Sequence, residues 1–276
     1  MHVNSKHTGR NAFISGAGGG LGKALVHEFA GLGFRVVAAD IDPDKLTELK
    51  EIDGITCVNL DVTDSEAVKK VCIDLFPEGS GLDILVSQAG IYDTFPLTGA
   101  DPRLFRQIME INLFGTVNLV HSLLRPLIRQ KGRVIVVSSE SYKVQALFQP
   151  YMISKAALEA YCLTARQELA LKGVRLSVIR PGAMKTPLLD WMKNPPEPGK
   201  FPMFEEEFLA SWNQSSKIVG KIIPPAAVAK LVARAALSRN PRRYYRINNS
   251  LTVRLVALIP KVLLDKLVYL KFLKRK

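Results

Sequence analysis

The stretch Ser15-Gly16-Ala17-Gly18-Gly19-Gly20-Leu21-Gly22 decides the fold, because it follows the short apolar run 12–15 and opens a helical stretch. Glycines after a strand allow a tight turn, and they let the backbone approach a pyrophosphate at the N-terminus of the next helix. The spacing G-x-G-x-x-G is not met, since residue 21 is leucine, but G-x-x-x-G-x-G fits Gly16, Gly20 and Gly22. We therefore predict a dinucleotide site here; the alternative is a turn with a purely structural role.

Short apolar runs alternate with amphipathic stretches along the rest of the chain. Runs rich in Val and Ile with little alternation are typical of strands buried on both faces. We predict strands at 12–15, 34–39, 55–60, 84–87, 134–138, 174–180 and 244–247. Helices are predicted near 21–32, 43–52, 64–76, 101–130 and 152–172. This order predicts an α/β fold with a doubly wound parallel sheet, a Rossmann fold.

The pattern predicts a single domain over residues 1–250, with one long excursion and a tail. Residues 187–220 hold five prolines among aromatic side chains, which favours a loop over a site rather than another crossover. Residues 251–276 form a basic, apolar C-terminal tail.

The positive charge is concentrated near the C-terminus. Residues 242–276 carry five Lys, five Arg and one Asp, so +9 of the net +13 lies there and +4 in the rest of the chain. This distribution does not favour a nucleic-acid partner. The three cysteines have no C-x-x-C spacing, the four histidines form no cluster, and the N-terminus has no apolar signal region. We expect free thiols, no metal site and a cytoplasmic protein.

Two acidic residues point to the choice of cofactor. Asp40 ends the second predicted strand, where a carboxylate accepts hydrogen bonds from both ribose hydroxyls of NAD and repels the 2′-phosphate of NADP. No Arg or Lys occupies the glycine turn, and Ile41 follows Asp40, so NAD is predicted and NADP is less favoured. Asp61 follows the third strand and is placed to bind the adenine amino group. The alternatives are an ordinary strand-end turn for Asp40 and an N-cap or Asx-turn for Asp61.

The candidate reacting groups are Tyr151 and Lys155, which are four residues apart at the start of a predicted helix and so share a face. A nearby ammonium lowers the pKa of a phenol, which can then exchange a proton with a hydroxyl or carbonyl. Ser139 ends the fifth strand and can hold the substrate oxygen; Ser138 competes with it, since alternation points the two hydroxyls to opposite faces. Asn112 is polar in a mostly apolar helix. It can bond backbone as a buried amide and also hold a proton-relay water.

Together these residues resemble the short-chain dehydrogenase/reductase family over roughly two thirds of the chain. The motifs that carry the resemblance are Ser15-Gly16-x-x-x-Gly20-x-Gly22, Asp61-Val62, Ala89-Gly90, Asn112, Ser139, Tyr151-x-x-x-Lys155 and Pro181-Gly182-x-x-x-Thr186. Where the family has Asn-Asn-Ala-Gly after the fourth strand, this chain has Ser87-Gln88-Ala89-Gly90, which puts local hydrogen bonds on the adenosine side in doubt.

The resemblance implies a catalytic tetrad of Asn112, Ser139, Tyr151 and Lys155. It also implies that Lys155 binds the nicotinamide ribose, that Thr186 contacts the carboxamide, and that the protein is a homodimer or homotetramer. With the residues deduced above, the predicted cofactor contacts are Gly16, Gly20, Leu21, Gly22, Asp40, Asp61, Val62, Ala89, Gly90, Tyr151, Lys155, Pro181, Gly182 and Thr186.

The predicted activity is NAD-dependent interconversion of a primary or secondary alcohol and its carbonyl. Aromatic residues of the excursion favour a lipophilic substrate resembling a steroid, retinoid or fatty alcohol, although several of them could instead pack the loop onto the core. The predicted substrate contacts are Ser139, Tyr151, Trp191, Phe204 and Phe208.

Two alternatives stay open. The chain could be a catalytically silent nucleotide-binding protein on the same fold. The tail could lie peripherally on an anionic membrane, through its apolar and basic residues, or pack against protein.

Overall fold

In the computed structural model, residues 9–144, 146–186, 189, 197–215 and 221–273 are described. Seven strands form one parallel sheet in the order β3-β2-β1-β4-β5-β6-β7. Their bounds are β1 Asn11–Ser15, β2 Arg35–Asp40, β3 Ile55–Asn59, β4 Ile84–Ser87, β5 Arg133–Val137, β6 Arg175–Pro181 and β7 Tyr244–Ile247. The predicted doubly wound sheet is confirmed, and each strand lies within a residue of its predicted ends.

Helices cover both faces of the sheet, as the right-handed crossovers of parallel strands require. The helices are α1 Gly20–Gly31, α2 Ser65–Leu75, α3 Pro102–Met109, α4 Gly115–Ser122, α5 Leu124–Gln130, α6 Pro150–Leu171, α7 Glu205–Ser215, α8 Pro225–Leu237, α9 Leu251–Val256 and α10 Lys261–Leu273. One core cluster joins the sheet to α1 and α8, and a second joins it to α2, α4, α5 and α6. The carboxyl ends of the strands therefore meet at one open edge between these layers.

Two predicted helices take a different form. The stretch 43–52 holds a 3-10 helix, Asp44–Leu49, rather than an α-helix. The stretch 101–130 is divided into α3, a π-helical turn Glu110–Phe114, α4 and α5. Asp101 caps α3 by accepting from the backbone N–H of Arg103, as an N-terminal Asp is expected to do. Pro126 has no N–H to bond the preceding turn, which accounts for the break between α4 and α5.

The excursion and the tail extend from this sheet. The described part of the excursion holds a 3-10 turn, Pro202–Phe204, that runs directly into α7. In the tail, α9 begins after Ser250, whose backbone N–H donates to Glu140 at 2.6 Å. Within the described residues, no helix has the length and apolar content needed to cross a membrane.

Candidate active site

The glycine turn links β1 to α1 at the carboxyl edge of the sheet. Gly16 has φ of 68°, a left-handed conformation that glycine adopts without strain. Gly19 is the N-cap residue of α1 and offers no side-chain cap, so the first N–H groups of the helix are directed at the cleft. A Cβ on Gly22 would lie 2.6 Å from the Cα of Ala17, so Gly22 serves close packing of helix on turn. These features fit a pyrophosphate at the helix N-terminus.

Asp40 lies against this turn. One carboxylate oxygen accepts from the N–H of Gly18 at 2.9 Å, and the other accepts from the N–H of Asp42 at 3.0 Å. Asp40 thus has the turn-stabilising role that the alternative assigned to it, and it also lines the cleft. Sequence reasoning missed Lys45, which lines the cleft beside Asp40 and forms a 3.0 Å ion pair with Asp42.

Asp61 and Val62 follow β3 and line the same cleft. The Oδ1 atom of Asp61 accepts from both the N–H and the hydroxyl of Thr63, each at 2.8 Å. Asp61 therefore forms the Asx-turn of the alternative interpretation, while its position in the wall stays compatible with a contact to a bound base.

One continuous cleft of about 870 Å³ joins these residues to the candidate reacting groups. This volume lies within the range of ligand sites. Its wall includes the predicted cofactor contacts Gly16, Gly20, Leu21, Asp40, Asp61, Val62, Ala89, Gly90, Tyr151, Lys155 and Thr186. Gly22, Pro181 and Gly182 do not line it. Gly22 packs beneath the turn, and the N–H of Gly182 donates to the carbonyl of Ile247 at 2.9 Å, so these residues support the wall from behind.

Tyr151 and Lys155 lie in the first two turns of α6, with Tyr151 just after Pro150 at the helix start. The Ser139 hydroxyl is near enough to the Tyr151 phenol to act on its pKa. The Lys155 ammonium lies 5.7 Å from the centroid of the Tyr151 ring and donates to the carbonyl of Val137 at 3.3 Å. The structure thus brings together three of the four predicted tetrad members.

Asn112, the fourth member, occupies the middle of the π-helical turn and is fully buried. Its amide accepts from the N–H of Ile91 at 2.8 Å and donates to the carbonyl of Ile91 and to Ser154, both at 2.9 Å. A Cβ on Gly90 would lie 2.9 Å from the Asn112 oxygen and 3.6 Å from Lys155 Nζ. The amide therefore braces the segment after β4 against α6, directly beside the lysine.

Burial shifts the pKa values of both reacting groups. The Tyr151 pKa rises to about 12, chiefly by desolvation, although the hydrogen bond from Ser139 opposes the rise. The Lys155 pKa falls to about 8, again by desolvation, with Cys162 and Glu159 opposing the fall. The direction of the Tyr151 shift is therefore opposite to the lowering expected from the sequence, because desolvation is its largest cause.

Comparison with known proteins identifies the family. The sequence profile described as short chain dehydrogenase matches residues 10–195, more than half of the chain. The chain belongs to the short-chain dehydrogenase/reductase family. Members of this family are oxidoreductases whose fold binds NAD(P).

Individual relatives cover nearly the whole chain. Human "Retinol dehydrogenase 16" is 28% identical, over 97% of this chain and 89% of the relative. The "NADPH-dependent 3-dehydrocapnine reductase" of Ornithobacterium rhinotracheale is 30% identical, over 94% of this chain and 96% of the relative. A short-chain dehydrogenase from Streptomyces avermitilis superimposes with a TM-score of 0.76 at 21% identity, over 98% of each chain.

In this short-chain dehydrogenase, Gln88 replaces the usual asparagine of the segment after β4. Its side-chain amide donates to the carbonyl of Gly16, and its backbone N–H donates to the Ser15 hydroxyl at 3.2 Å. Ser87, at the other changed position, pairs its hydroxyl with that of Thr116 at 2.8 Å. Both replacements therefore have local hydrogen-bond partners in this structure.

Two predicted substrate residues pack on an aromatic cluster and do not line the cleft. Phe208 is buried, with its ring centroid 5.1 Å from that of Phe201 and 5.4 Å from that of Phe148. Phe204 packs on Phe148 at 5.9 Å and against Gly99. Phe204 ends the 3-10 turn and Phe208 lies in the first turn of α7, and neither lines the cleft, so their contact with a substrate stays a prediction. Trp191 lies outside the described residues.

Several cleft residues escaped the sequence analysis. Tyr92 lines the cleft, with its ring centroid 4.9 Å from that of Tyr151 and its hydroxyl 3.0 Å from the side-chain oxygen of Gln149. Arg103 and Arg106 line it from one face of α3. Their spacing of three residues is a helical-face signal, but nothing in the sequence shows which way that face points.

Ser138 also lines the cleft, and its hydroxyl is buried without a hydrogen-bond partner among the described residues. The Ser139 hydroxyl, in contrast, also pairs with that of Ser141 at 2.9 Å. Of the two serines, Ser138 lines the cleft and Ser139 does not. No group of three or more potential metal ligands occurs among the described residues.

Proposed function

We propose that this protein is an NAD-dependent oxidoreductase that interconverts an alcohol and its carbonyl, with Tyr151 moving the proton. The observation that carries the proposal is a buried phenol, whose rise in pKa Ser139 opposes, in the wall of a cleft that the glycine turn also lines. When bound, the nicotinamide supplies or accepts the hydride.

The residues have separate roles in this reaction. A phenol with a pKa of about 12 is protonated at neutral pH and donates its proton to a substrate carbonyl oxygen as reduction proceeds. Ser139, or Ser138 with its unpaired hydroxyl, holds that oxygen beside the phenol. Lys155 places a positive charge next to Tyr151 and so stabilises the phenolate that remains. Asn112 holds the segment 90–91 against α6 and keeps these groups in position.

NAD is the proposed cofactor because Asp40 stands where the adenosine ribose would lie in this fold. Its carboxylate lines the cleft, where it would meet a 2′-phosphate with like charge. Lys45 is the nearby cation that could favour NADP, but its ammonium is already paired with Asp42.

A lipophilic alcohol or ketone is the proposed substrate class. Ile91, Tyr92 and Met184 line the cleft together with Tyr151, giving this part of the wall apolar surface and two aromatic hydroxyls. The similarity to a protein named retinol dehydrogenase supports this class.

A homodimer or homotetramer is the proposed assembly. The outer surface of α6 exposes Ile153 and Leu163, and Phe114 is exposed at the end of the adjoining π-turn. Covering such apolar side chains would favour association of identical chains. Light scattering on a sizing column should give a mass at least twice that of the chain, and a monomer at micromolar concentration would contradict the proposal.

Peripheral docking on an anionic membrane is proposed for the tail. The helices α9 and α10 expose Leu251, Leu255, Leu258, Val262, Leu263, Leu267 and Leu270. Arg254 and Lys266 are exposed among them, so the surface combines insertion of apolar side chains with attraction to anionic lipid.

Co-sedimentation with phosphatidylserine vesicles tests the docking. The full chain should pellet at low salt, and Leu258→Glu with Val262→Glu should reduce binding. Leu171→Glu is the matched control, since Leu171 is 85% exposed on α6, away from the tail. Binding that is equal in all three proteins would contradict docking through the tail.

The activity itself is tested by following NADH formation against steroid, retinoid and long-chain alcohols, with short polyols as the comparison. We expect turnover of at least one lipophilic alcohol with NAD. A protein that binds NADH but oxidises or reduces none of the panel would favour the catalytically silent alternative.

A further inference from the structure

A buried ion pair connects β6 to the helix that carries the reacting groups. Arg180 of β6 donates to Glu159 of α6 through two parallel bonds, Nε to Oε1 at 2.8 Å and Nη2 to Oε2 at 2.7 Å. Arg180 is 4% exposed and Glu159 is 6% exposed. This fork geometry fixes the orientation of both side chains more strictly than a single contact would.

Two tyrosine rings enclose the guanidinium. Its carbon lies 4.1 Å from the ring centroid of Tyr142 and 3.6 Å from that of Tyr244. Tyr142 belongs to the 3-10 turn Glu140–Lys143 that begins directly after Ser139, and Tyr244 belongs to β7. Each of the two rings adds a cation–π attraction to the guanidinium.

Stability alone does not explain this arrangement. Withdrawing two charges from water costs so much that apolar side chains of similar size are often as stabilising as the pair. What an apolar pair cannot supply is a defined orientation, because its packing forces have no direction.

The elements joined by Arg180 are those that hold the reacting groups. Glu159 lies one helical turn after Lys155 and two turns after Tyr151, on the same face of α6. Tyr142 lies three residues after Ser139, within the 3-10 turn for which Ser139 is the N-cap residue. The guanidinium therefore connects the segment that carries Ser139 to the helix that carries Tyr151 and Lys155.

We propose that Arg180, with Glu159 and Tyr142, is a positioning group for the reaction, which sets the distance between the Ser139 hydroxyl and the Tyr151 phenol. The inference rests on the proposed function. Displacement of a reacting group by about 1 Å can cost about a hundredfold in rate, so loss of the Arg180–Glu159 pair should lower kcat strongly.

The test replaces both charges at once, by Arg180→Met with Glu159→Leu, so that no buried charge is left unpaired. The melting temperature of the double variant should lie within a few degrees of that of the parent, and both should bind NADH equally well. Its kcat should fall at least about tenfold with little change in KM for the alcohol. Arg175→Met is the control: this arginine lies on the same strand, but it is exposed and its side chain donates to the carbonyl of Arg239.

A second pair of variants separates positioning from packing. Tyr142→Leu removes the ring face, while Tyr142→Phe keeps it, so kcat should fall clearly more in the leucine variant at equal thermal stability. Arg180→Lys keeps the charge but loses the two parallel hydrogen bonds to Glu159. Its kcat should therefore lie between those of the double variant and the parent.

The outcomes distinguish the two proposals. A parent without turnover of any alcohol or carbonyl would contradict the proposed function and the positioning role with it. An active parent with an equally active and equally stable double variant would contradict the positioning role alone. A double variant that unfolds far below the parent, with Tyr142→Leu fully active, would make the pair a stability element and overturn the inference.

Discussion

At the cofactor end of the cleft, the wall is made by segments that directly follow the strands, and they contact one another, as the N–H of Gly18 contacts Asp40. Around the predicted substrate residue Phe208, which does not line the cleft, aromatic side chains from distant segments pack on one another, as Phe148 does on Phe208. The first end is encoded by spacing along the chain, so a motif finds it. The second depends on which face of a helix turns inward, and spacing does not reveal that.

The largest effect is expected on stability, at the predicted substrate residue Phe208, which packs in the aromatic cluster. Phe208→Ala should lower the free energy of unfolding by about 3 kcal/mol, because it leaves a cavity within an aromatic cluster. Denaturant titration checks this, with the exposed Met203→Ala on the preceding turn as the control. Unchanged stability with a raised KM for the alcohol would return Phe208 to the pocket.

A second prediction concerns the cofactor end, where a larger side chain replaces a glycine of the turn. A Cβ on Gly18 would lie 2.6 Å from the Cβ of Lys45 and 3.1 Å from the carboxyl carbon of Asp40. Gly18→Leu should therefore weaken NADH binding about thirtyfold, measured by fluorescence titration. Gly31→Ala, at the other end of α1, has nothing within 4 Å of its Cβ and should bind NADH like the parent. Equal affinity in both variants would contradict the placement of the cofactor on the glycine turn.

A third prediction concerns cofactor choice at the same end. Asp40→Ala combined with Ile41→Arg removes the repelling carboxylate and adds a cation, so the ratio of kcat/KM for NAD over NADP should fall at least about tenfold. Kinetics with both cofactors measure the ratio. A parent that already prefers NADP would show that Lys45, rather than Asp40, dominates the site.

The smallest effect tests the buried charge between the two ends. Burial lowers the pKa of Lys155 from 10.5 to about 8, so between these pH values the unfolded chain holds a proton that the folded chain has released. The free energy of unfolding of the parent should therefore rise with pH in this window, by on the order of 1 kcal/mol, relative to Lys155→Met. Unfolding of both proteins from pH 7 to 10 measures the difference. A difference that stays constant would mean that Lys155 keeps its ordinary pKa.

The same comparison explains how far the sequence predicts the molecule. The inner strands could be predicted because they are short runs of mostly buried apolar residues, and Asp101 could be predicted as a cap from its place before Pro102. The π-turn at Asn112 could not, because its form depends on partners far along the chain, Ile91 and Ser154.

At the site, Tyr151 and Lys155 could be predicted from their spacing on one helical face. The direction in which the pKa of Tyr151 shifts could not be predicted, because it depends on how much water the folded chain removes from the phenol. The buried pair of Arg180 and Glu159 could not be predicted either, since it joins a strand to a helix across 21 residues of sequence.

The central claim is that Tyr151 moves the proton in an NAD-dependent redox reaction. Tyr151→Phe removes only the hydroxyl and keeps the ring in its packed position, so steady-state turnover of a lipophilic alcohol, measured beside NADH binding, tests it most directly. We expect kcat to fall by at least about a hundredfold while NADH binding stays within about twofold of the parent. Near-normal turnover in Tyr151→Phe would contradict the account.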